Sequence, residues 1–135
     1  MQNQVAALVV SGRVEDRQNL ARILDRLSAN VFIVGTLAHA RDALQLQPIT
    51  IIFCDERLCD GPYHNLVAFA KDQCKPAQFV VMLSTGEWPE YLEALGLGVE
   101  AIRCPIQPTD VELALIHAMR RVSVAKGPRT LAASA

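Results

Sequence analysis

The side chains of this chain that could do chemistry stand at the ends of short apolar runs. Asp55 follows the run 49–54, Ser84 and Thr85 follow the run 79–83, and Cys104 comes just after the run 99–102. An aspartate at the end of a buried strand loses part of its hydration, so it needs solvent or a partner. Two roles for Asp55 stay open from this position alone: a nucleophile or acceptor of a chemical group, and a cap on the turn that follows.

The first apolar run ends in Ser11-Gly12-Arg13, which matches neither nucleotide-binding signature. A dinucleotide site needs GxGxxG at this place, and a P-loop needs GxxxxGK[ST]. No Ser/His/Asp order with a supporting motif marks Ser84 as a catalytic nucleophile. The sequence therefore favours neither nucleotide binding nor serine hydrolysis.

The cysteines indicate reduced thiols. They show no CxxC spacing, and no secretion signal precedes them. A zinc or thiol site near Asp55 would also need a histidine at ligand spacing, and His64 is the only histidine in a predicted loop. We therefore expect no metal site. The four cysteines are Cys54, Cys59, Cys74 and Cys104.

Length, composition and charge limit the class of protein. A chain of 135 residues with 51% hydrophobic residues fits one globular domain. The 13 basic and 14 acidic residues give a net charge of -1, so no global field attracts nucleic acid or an anionic membrane. The apolar runs fall short of the about 18 residues of a membrane span. We expect a cytoplasmic protein with no nucleic-acid or membrane partner.

The order of elements predicts the fold class. Five Val- and Ile-rich runs lack strict alternation, which is typical of parallel strands covered on both faces. Segments with helical periodicity lie between them, so the order is β-α repeated five times. Alternation with short connections predicts an α/β fold, a three-layer α/β/α sandwich with a five-stranded parallel sheet. The predicted domain covers residues 1–122, and residues 123–135 are predicted to be a disordered tail or linker. The runs are 5–10, 31–34, 49–54, 79–83 and 99–102.

Three segments resemble one family. The run 52–61, IFCDERLCDG, resembles the phosphoacceptor strand and loop of response-regulator receiver domains. The run 80–86, VVMLSTG, resembles the fourth strand of that family, and Cys104-Pro105 before residues 108–110 resembles its Lys-Pro turn. The resemblance covers about residues 4–122. It implies the flavodoxin-like topology of receivers and a cis Cys104-Pro105 bond.

The resemblance also implies roles for the residues at the strand ends. Asp55 would be the phosphoacceptor, which receives a phosphoryl group from a histidine kinase in a two-component phosphorelay. Ser84, Thr85 and Cys104 would line the phosphoryl pocket. The partner would be a histidine kinase or another signalling protein.

Several positions depart from the family pattern. The acidic pair that holds Mg²⁺ falls on Ser11 and Gly12, and the lysine that contacts the phosphoryl oxygens falls on Cys104. The aromatic residue of the fifth strand falls on Ala101 or Ile102. A hard cation wants carboxylate oxygens, so Mg²⁺ binding is expected to be weak at best and no cofactor is predicted. The chain would be an atypical receiver.

These observations predict a protein that is not an enzyme and acts mainly by protein-protein recognition. Trp88, Tyr91 and Ala101 would belong to the interface, with a possible homodimer through the fourth and fifth helices. The two aromatic residues could instead cover the edge of the core. Two other functions stay open: a phosphorylation-independent binding module, and a small hydrolase that uses Asp55.

Overall fold

The computed structural model describes residues 5–73, 75–84 and 87–120. A parallel sheet lies between two layers of helices. Its strands are β1 (Ala6–Val10), β2 (Asn30–Val34), β3 (Ile51–Asp55), β6 (Gln78–Leu83) and β7 (Glu100–Arg103). A small antiparallel hairpin joins β4 (Arg57–Leu58) to β5 (Gly61–Pro62). The helices are α1 (Val14–Arg26), α2 (Leu37–Leu46), α3 (Tyr63–Asp72), α4 (Trp88–Gly96) and α5, which covers residues 108–120.

The strand order is β2-β1-β3-β6-β7, and every pair in this sheet is parallel. The predicted three-layer fold with a five-stranded parallel sheet is therefore confirmed. The register sets Val10 beside Cys54 and Asp55 beside Met82. The chain therefore leaves β1, β3 and β6 at one edge of the sheet, where ligands of parallel α/β folds bind.

Burial on both faces explains why the strands are apolar throughout. All five residues of β3 are buried, and so are all six of β6. Successive side chains of β3 point to opposite faces, so Ile52 and Cys54 enter one core cluster while Ile51 and Phe53 enter the other. A continuous apolar run is what this two-sided packing requires.

Helices α1 and α4 differ in how many of their residues are buried. In α1, Leu20, Ile23 and Leu24 form the predicted apolar stripe and are buried against the sheet. In α4, Ala94 is the only residue among those described that is buried. The attachment of α4 to the domain therefore depends on few contacts.

Asp60 joins the hairpin to the start of α2. The Leu37 N–H donates to its Oδ1 at 2.9 Å, and the Ala38 N–H donates to its Oδ2 at 3.1 Å. These bonds hold the pKa of the Asp60 carboxyl below its ordinary value. At the same helix end, Thr36 is the N-cap, and its Oγ1 accepts from the His39 N–H at 3.1 Å. The loop after β3 is thereby fixed to the second helix.

The turn after β7 and the helix lengths also bear on the sequence expectations. The Cys104-Pro105 peptide bond is cis, as the resemblance implied. In the part of the chain that the structure describes, no helix has the length and apolarity needed to span a bilayer. The boundary expected at residue 122, the tail 123–135 and Thr85 lie outside the described residues.

Candidate functional site

Asp55 ends β3 at the carboxyl edge of the sheet and is 8% exposed. One of its carboxylate oxygens, Oδ2, accepts two hydrogen bonds from the chain that leaves β1. The Ser11 hydroxyl donates to it at 3.0 Å, and the Gly12 N–H donates to it at 3.0 Å. Both donors lie more than 40 positions away in sequence. The alternative in which Asp55 caps the turn after β3 therefore fails, since its side chain bonds to the end of β1.

Ser11 is fully buried and its hydroxyl has one proton to give. It lies 3.0 Å from Asp55 Oδ2 and 3.4 Å from the Arg13 carbonyl oxygen, so the shorter bond to the carboxylate takes the proton. The Ser11 oxygen in turn accepts from the Arg13 N–H at 3.1 Å. The hydroxyl thus connects the backbone at the start of α1 to the carboxylate.

Burial is the main influence on the charge of Asp55 and raises the pKa of its carboxyl above the ordinary value. The bonds from Gly12 and Ser11 and the charge of Arg13 lower this pKa, but they do not cancel the effect of burial. Burial also raises the pKa of the Cys104 thiol. Cys104 is therefore a neutral thiol and cannot supply the positive charge of a lysine.

A cavity of about 140 Å³ opens beside the carboxylate. The phosphoacceptor candidate Asp55 lines it together with two of the three residues that the resemblance assigned to a phosphoryl pocket, Ser84 and Cys104. Its other lining residues are Met82, Glu56 and the two arginines Arg13 and Arg57.

Sequence analysis missed the two arginines of this cavity. Arg13 stands a few residues beyond the end of β1, and Arg57 follows the end of β3 with one residue between. Both arginines belong to strand-exit segments that the sequence indicates, Ser11-Gly12-Arg13 and the run 52–61, but the sequence pattern assigned no role to either. The family pattern drew attention to Asp55, Ser84 and Cys104 instead.

The donors at this site do not fit Mg²⁺. A hard cation needs oxygen lone pairs, but Gly12 directs a backbone N–H at Asp55 Oδ2 and Ser11 directs a hydroxyl proton at the same atom. Across residues 5–73, 75–84 and 87–120, no group of three or more His, Cys, Asp or Glu is placed to hold a metal ion. We therefore derive no step through a metal.

The residues assigned to an interface divide into two groups. Trp88 is 74% exposed, so it does not cover the edge of the core. Tyr91 and Ala101 are partly buried, and both pack against the core cluster that contains Ala94 of α4.

Leu92 and Leu95 are exposed like Trp88. The three side chains follow one another along α4 at spacings of four and three residues, so they lie on one face of the helix. We call Trp88, Leu92 and Leu95 the α4 stripe. On α5, three further apolar side chains are exposed: Leu113, Ile116 and Met119.

Comparison with known proteins finds likenesses of structure. No protein-family model matches this chain. No curated protein matches it in sequence. Among solved structures, the signal receiver domain of a Luxo repressor protein from Vibrio parahaemolyticus superposes with a TM-score of 0.83 at 13% identity. That match covers 91% of this chain and 95% of the other.

Two further structures agree. A two-component response regulator from Clostridium difficile matches with a TM-score of 0.78 at 19% identity, covering 88% of this chain and 98% of the other. A CheY-like response regulator receiver domain protein from Methanospirillum hungatei matches with a TM-score of 0.79 at 16% identity, covering 90% and 98%. These likenesses establish the fold, and they extend over nearly the whole length of each receiver structure.

Proposed function

We propose that this chain, which has the fold of response-regulator receiver domains, is an atypical receiver of a two-component signalling system that acts by protein-protein recognition. The α4 stripe carries the proposal. A large apolar patch that is exposed on a small protein usually marks an interaction surface. Trp and Tyr are also favoured anchors of such surfaces.

The size of the stripe supports binding of useful strength. Covering Trp88 would remove roughly 150 Å² of surface from water. At about 25 cal/mol per Å², this burial would contribute about 3–4 kcal/mol to association. Leu92 and Leu95 are exposed beside it and would add to the same contact. In an isolated domain the side chains of Trp88, Leu92 and Leu95 stay in water and gain no free energy from burial.

Charge around the stripe favours a second copy of this chain as the partner. Glu87, just before α4, is exposed, and so are Arg103 of β7 and Arg120 of α5. Glu93 of α4 is exposed as well, but its carboxylate already lies 2.9 Å from His64 Nε2. A two-fold interface places each patch against the same patch of the other copy. Acidic groups of one α4 could then face basic groups of the other copy around an apolar centre. A histidine kinase or another signalling protein is the alternative occupant.

Asp55 is the proposed phosphoacceptor of this module. Its Oδ2 is held by two hydrogen bonds, whereas its Oδ1 receives none from the described part of the chain. In the transfer, Oδ1 would attack phosphorus of a phosphohistidine, the P–N bond would break, and the electron pair would stay on the imidazole nitrogen. Cys104 is neutral, and no group among the residues that the structure describes is placed to hold a metal ion. This reaction is therefore expected to be slow without another source of positive charge.

The dimer is tested by measuring molar mass against concentration by sedimentation equilibrium. Trp88→Ala removes the side chain from both copies of a two-fold dimer, so it is expected to raise the dissociation constant by at least about a hundredfold, which corresponds to at least about 2.8 kcal/mol. Leu46→Ala is the matched control, because Leu46 is 76% exposed on α2 and lies outside the stripe. A monomeric wild-type protein, or equal effects of the two variants, would refute self-association through the stripe.

Phosphorylation is tested separately by intact mass after treatment with a small acyl phosphate. Incorporation of one phosphoryl group that Asp55→Asn abolishes supports the phosphoacceptor role. No incorporation supports the phosphorylation-independent binding module instead. Steady phosphate release from a phosphoester, lost in the same variant, would favour the hydrolase. A cytoplasmic location stays a prediction.

A further inference from the structure

We propose that the cavity beside Asp55 holds a phosphoryl oxyanion whose charge is balanced by Arg13 and Arg57 in place of a divalent cation. The oxyanion has two possible sources, a phosphoryl group attached to Asp55 and free phosphate. The first source rests on the proposed function, because it requires Asp55 to accept the group. The second does not depend on it.

Hydrogen-bond donors of the chain itself contact the Asp55 carboxylate in this structure. In a metal-dependent site a cation would balance the charge of Asp55. Here the Ser11 hydroxyl and the Gly12 N–H, both at 3.0 Å, stabilise the oxygen Oδ2 instead. Hydrogen bonds to an ionised group are stronger than those between neutral groups. These two bonds therefore offset part of the cost of burying the carboxylate, without a cation.

The two arginines supply positive charge at the cavity wall. Arg13 begins α1 as its N-cap residue, and its side chain is 60% exposed. Its ion pair with Asp16 is long, 3.7 Å, which leaves the guanidinium free to turn toward an anion in the cavity that it lines. Arg57 is held by the β4–β5 hairpin, where it pairs with Pro62. A guanidinium matches phosphate oxygens with two parallel N–H donors, and it stays charged at any working pH.

The cavity has room for the oxyanion and a further donor. Its volume of about 140 Å³ corresponds to about four waters at about 30 Å³ each. A tetrahedral phosphoryl group of five heavy atoms therefore fits. The Ser84 hydroxyl is at its wall and can donate to an oxyanion, while Cys104 is uncharged. Glu56 also lines the cavity, and its negative charge opposes an anion. The opposing charge gives the proposal a second, independent test.

If the phosphoryl group is covalent, the transfer balances without a metal. Asp55 Oδ1 attacks phosphorus of an acyl phosphate, a P–O bond forms, and the P–O bond to the acyl group breaks. The leaving carboxylate takes the electron pair, and no proton has to move. Arg13 and Arg57 would offset charge on the equatorial oxygens, which is the task that a metal and a lysine usually share in phosphoryl transfer.

The experiment is a titration with inorganic phosphate in the presence of EDTA, followed by amide chemical shifts of the ¹⁵N-labelled chain at constant ionic strength. Saturable shifts at Gly12, Arg13 and Arg57 are expected. Arg13→Gln and Arg57→Gln should each weaken binding by about tenfold, the change that corresponds to about 1.4 kcal/mol. Glu56→Gln should tighten it. Arg22→Gln on α1, outside this cavity, is the matched control and should change nothing.

The outcomes separate the two sources and the two proposals. Phosphate binding that persists in Asp55→Asn identifies free phosphate, while a mass increase in EDTA that this variant abolishes identifies the covalent form. Shifts that do not saturate, or that Arg22→Gln weakens as much as Arg13→Gln, mean an adventitious ion only and overturn the proposal. A requirement for Mg²⁺ in both arms overturns it too. The dimer measurement with Trp88→Ala is independent of all of these results.

Discussion

Replacing Ser11 by alanine is expected to lower the free energy of unfolding, by an amount that depends on the protonation of Asp55. The fully buried hydroxyl donates to Asp55 Oδ2 at 3.0 Å. A hydrogen bond to a charged group contributes about 1.5–3 kcal/mol, and one between neutral groups about 0.5–1.5 kcal/mol. The loss should therefore be about 1.5–3 kcal/mol while Asp55 is ionised and roughly half as large once it is protonated.

The pH at which the loss changes follows from the pKa of Asp55. Burial raises this pKa above the ordinary value of 3.8. The bond from Ser11 lowers it, so removing that bond raises it further. The folded Ser11→Ala protein then binds its proton at a higher pH than the wild type does, and the stability difference shrinks as pH falls through this window. Above the window the difference is constant.

The assay is urea unfolding at neutral pH and at steps down toward the ordinary carboxyl pKa, in a double-mutant cycle with Asp55→Asn. Ser11 also accepts the Arg13 N–H at 3.1 Å, and losing that acceptor costs the same in both backgrounds. The amide oxygen in Asp55→Asn can still accept from the Ser11 hydroxyl, so the cycle isolates the part of this contact that depends on the charge of Asp55. Equal effects of Ser11→Ala in the wild-type and Asp55→Asn backgrounds, or a loss that grows on acidification, would refute the assignment of the bond.

Two further predictions use the same unfolding measurement. Asp55→Asn should be more stable than the wild type at neutral pH, because the wild type loses stability as pH rises from 3.8 through the raised pKa of Asp55. The advantage should vanish in acid, and parallel pH profiles of the two proteins would contradict this. Thr36→Ala removes the N-cap of α2 and should lower the free energy of unfolding by about 1 kcal/mol. Thr36→Ser should restore most of the loss, and an equal loss with serine would exclude capping as the cause.

The sheet could be predicted from the sequence because two-sided burial leaves a strong pattern. Runs such as 79–83 have no room for polar residues, since both faces of β6 meet helices. The family resemblance implied that Asp55, Ser84 and Cys104 would meet, and the topology explains why, because the carboxyl ends of neighbouring parallel strands lie together. The order of strands came from the family resemblance, since alternation of strands and helices alone allows several orders.

The details that the sequence left open depend on side-chain direction and on short elements. The β4–β5 hairpin has two residues in each strand, too few for periodicity to indicate, and it is this hairpin that sets Arg57 at the cavity. The sequence also did not indicate which face of α4 is buried, because a helix with one buried residue shows little hydrophobic periodicity. Trp88 and Tyr91 lie within one turn of each other, yet the first is exposed and the second packs on the core.

The departures that the resemblance implies at Ser11, Gly12 and Cys104 would be physically connected. Without a cation, two carboxylates beside Asp55 would place three like charges at a buried edge and raise the pKa of Asp55 further. Neutral donors at positions 11 and 12 avoid this repulsion and stabilise Oδ2 as well. A half-buried lysine at position 104 would then face a single carboxylate that already has partners, and its partial desolvation would lack full compensation. On the proposed reading these three positions would form one consistent set, in which hydrogen bonds take the place of ionic contacts around Asp55 and the positive charge is that of Arg13 and Arg57 at the cavity wall.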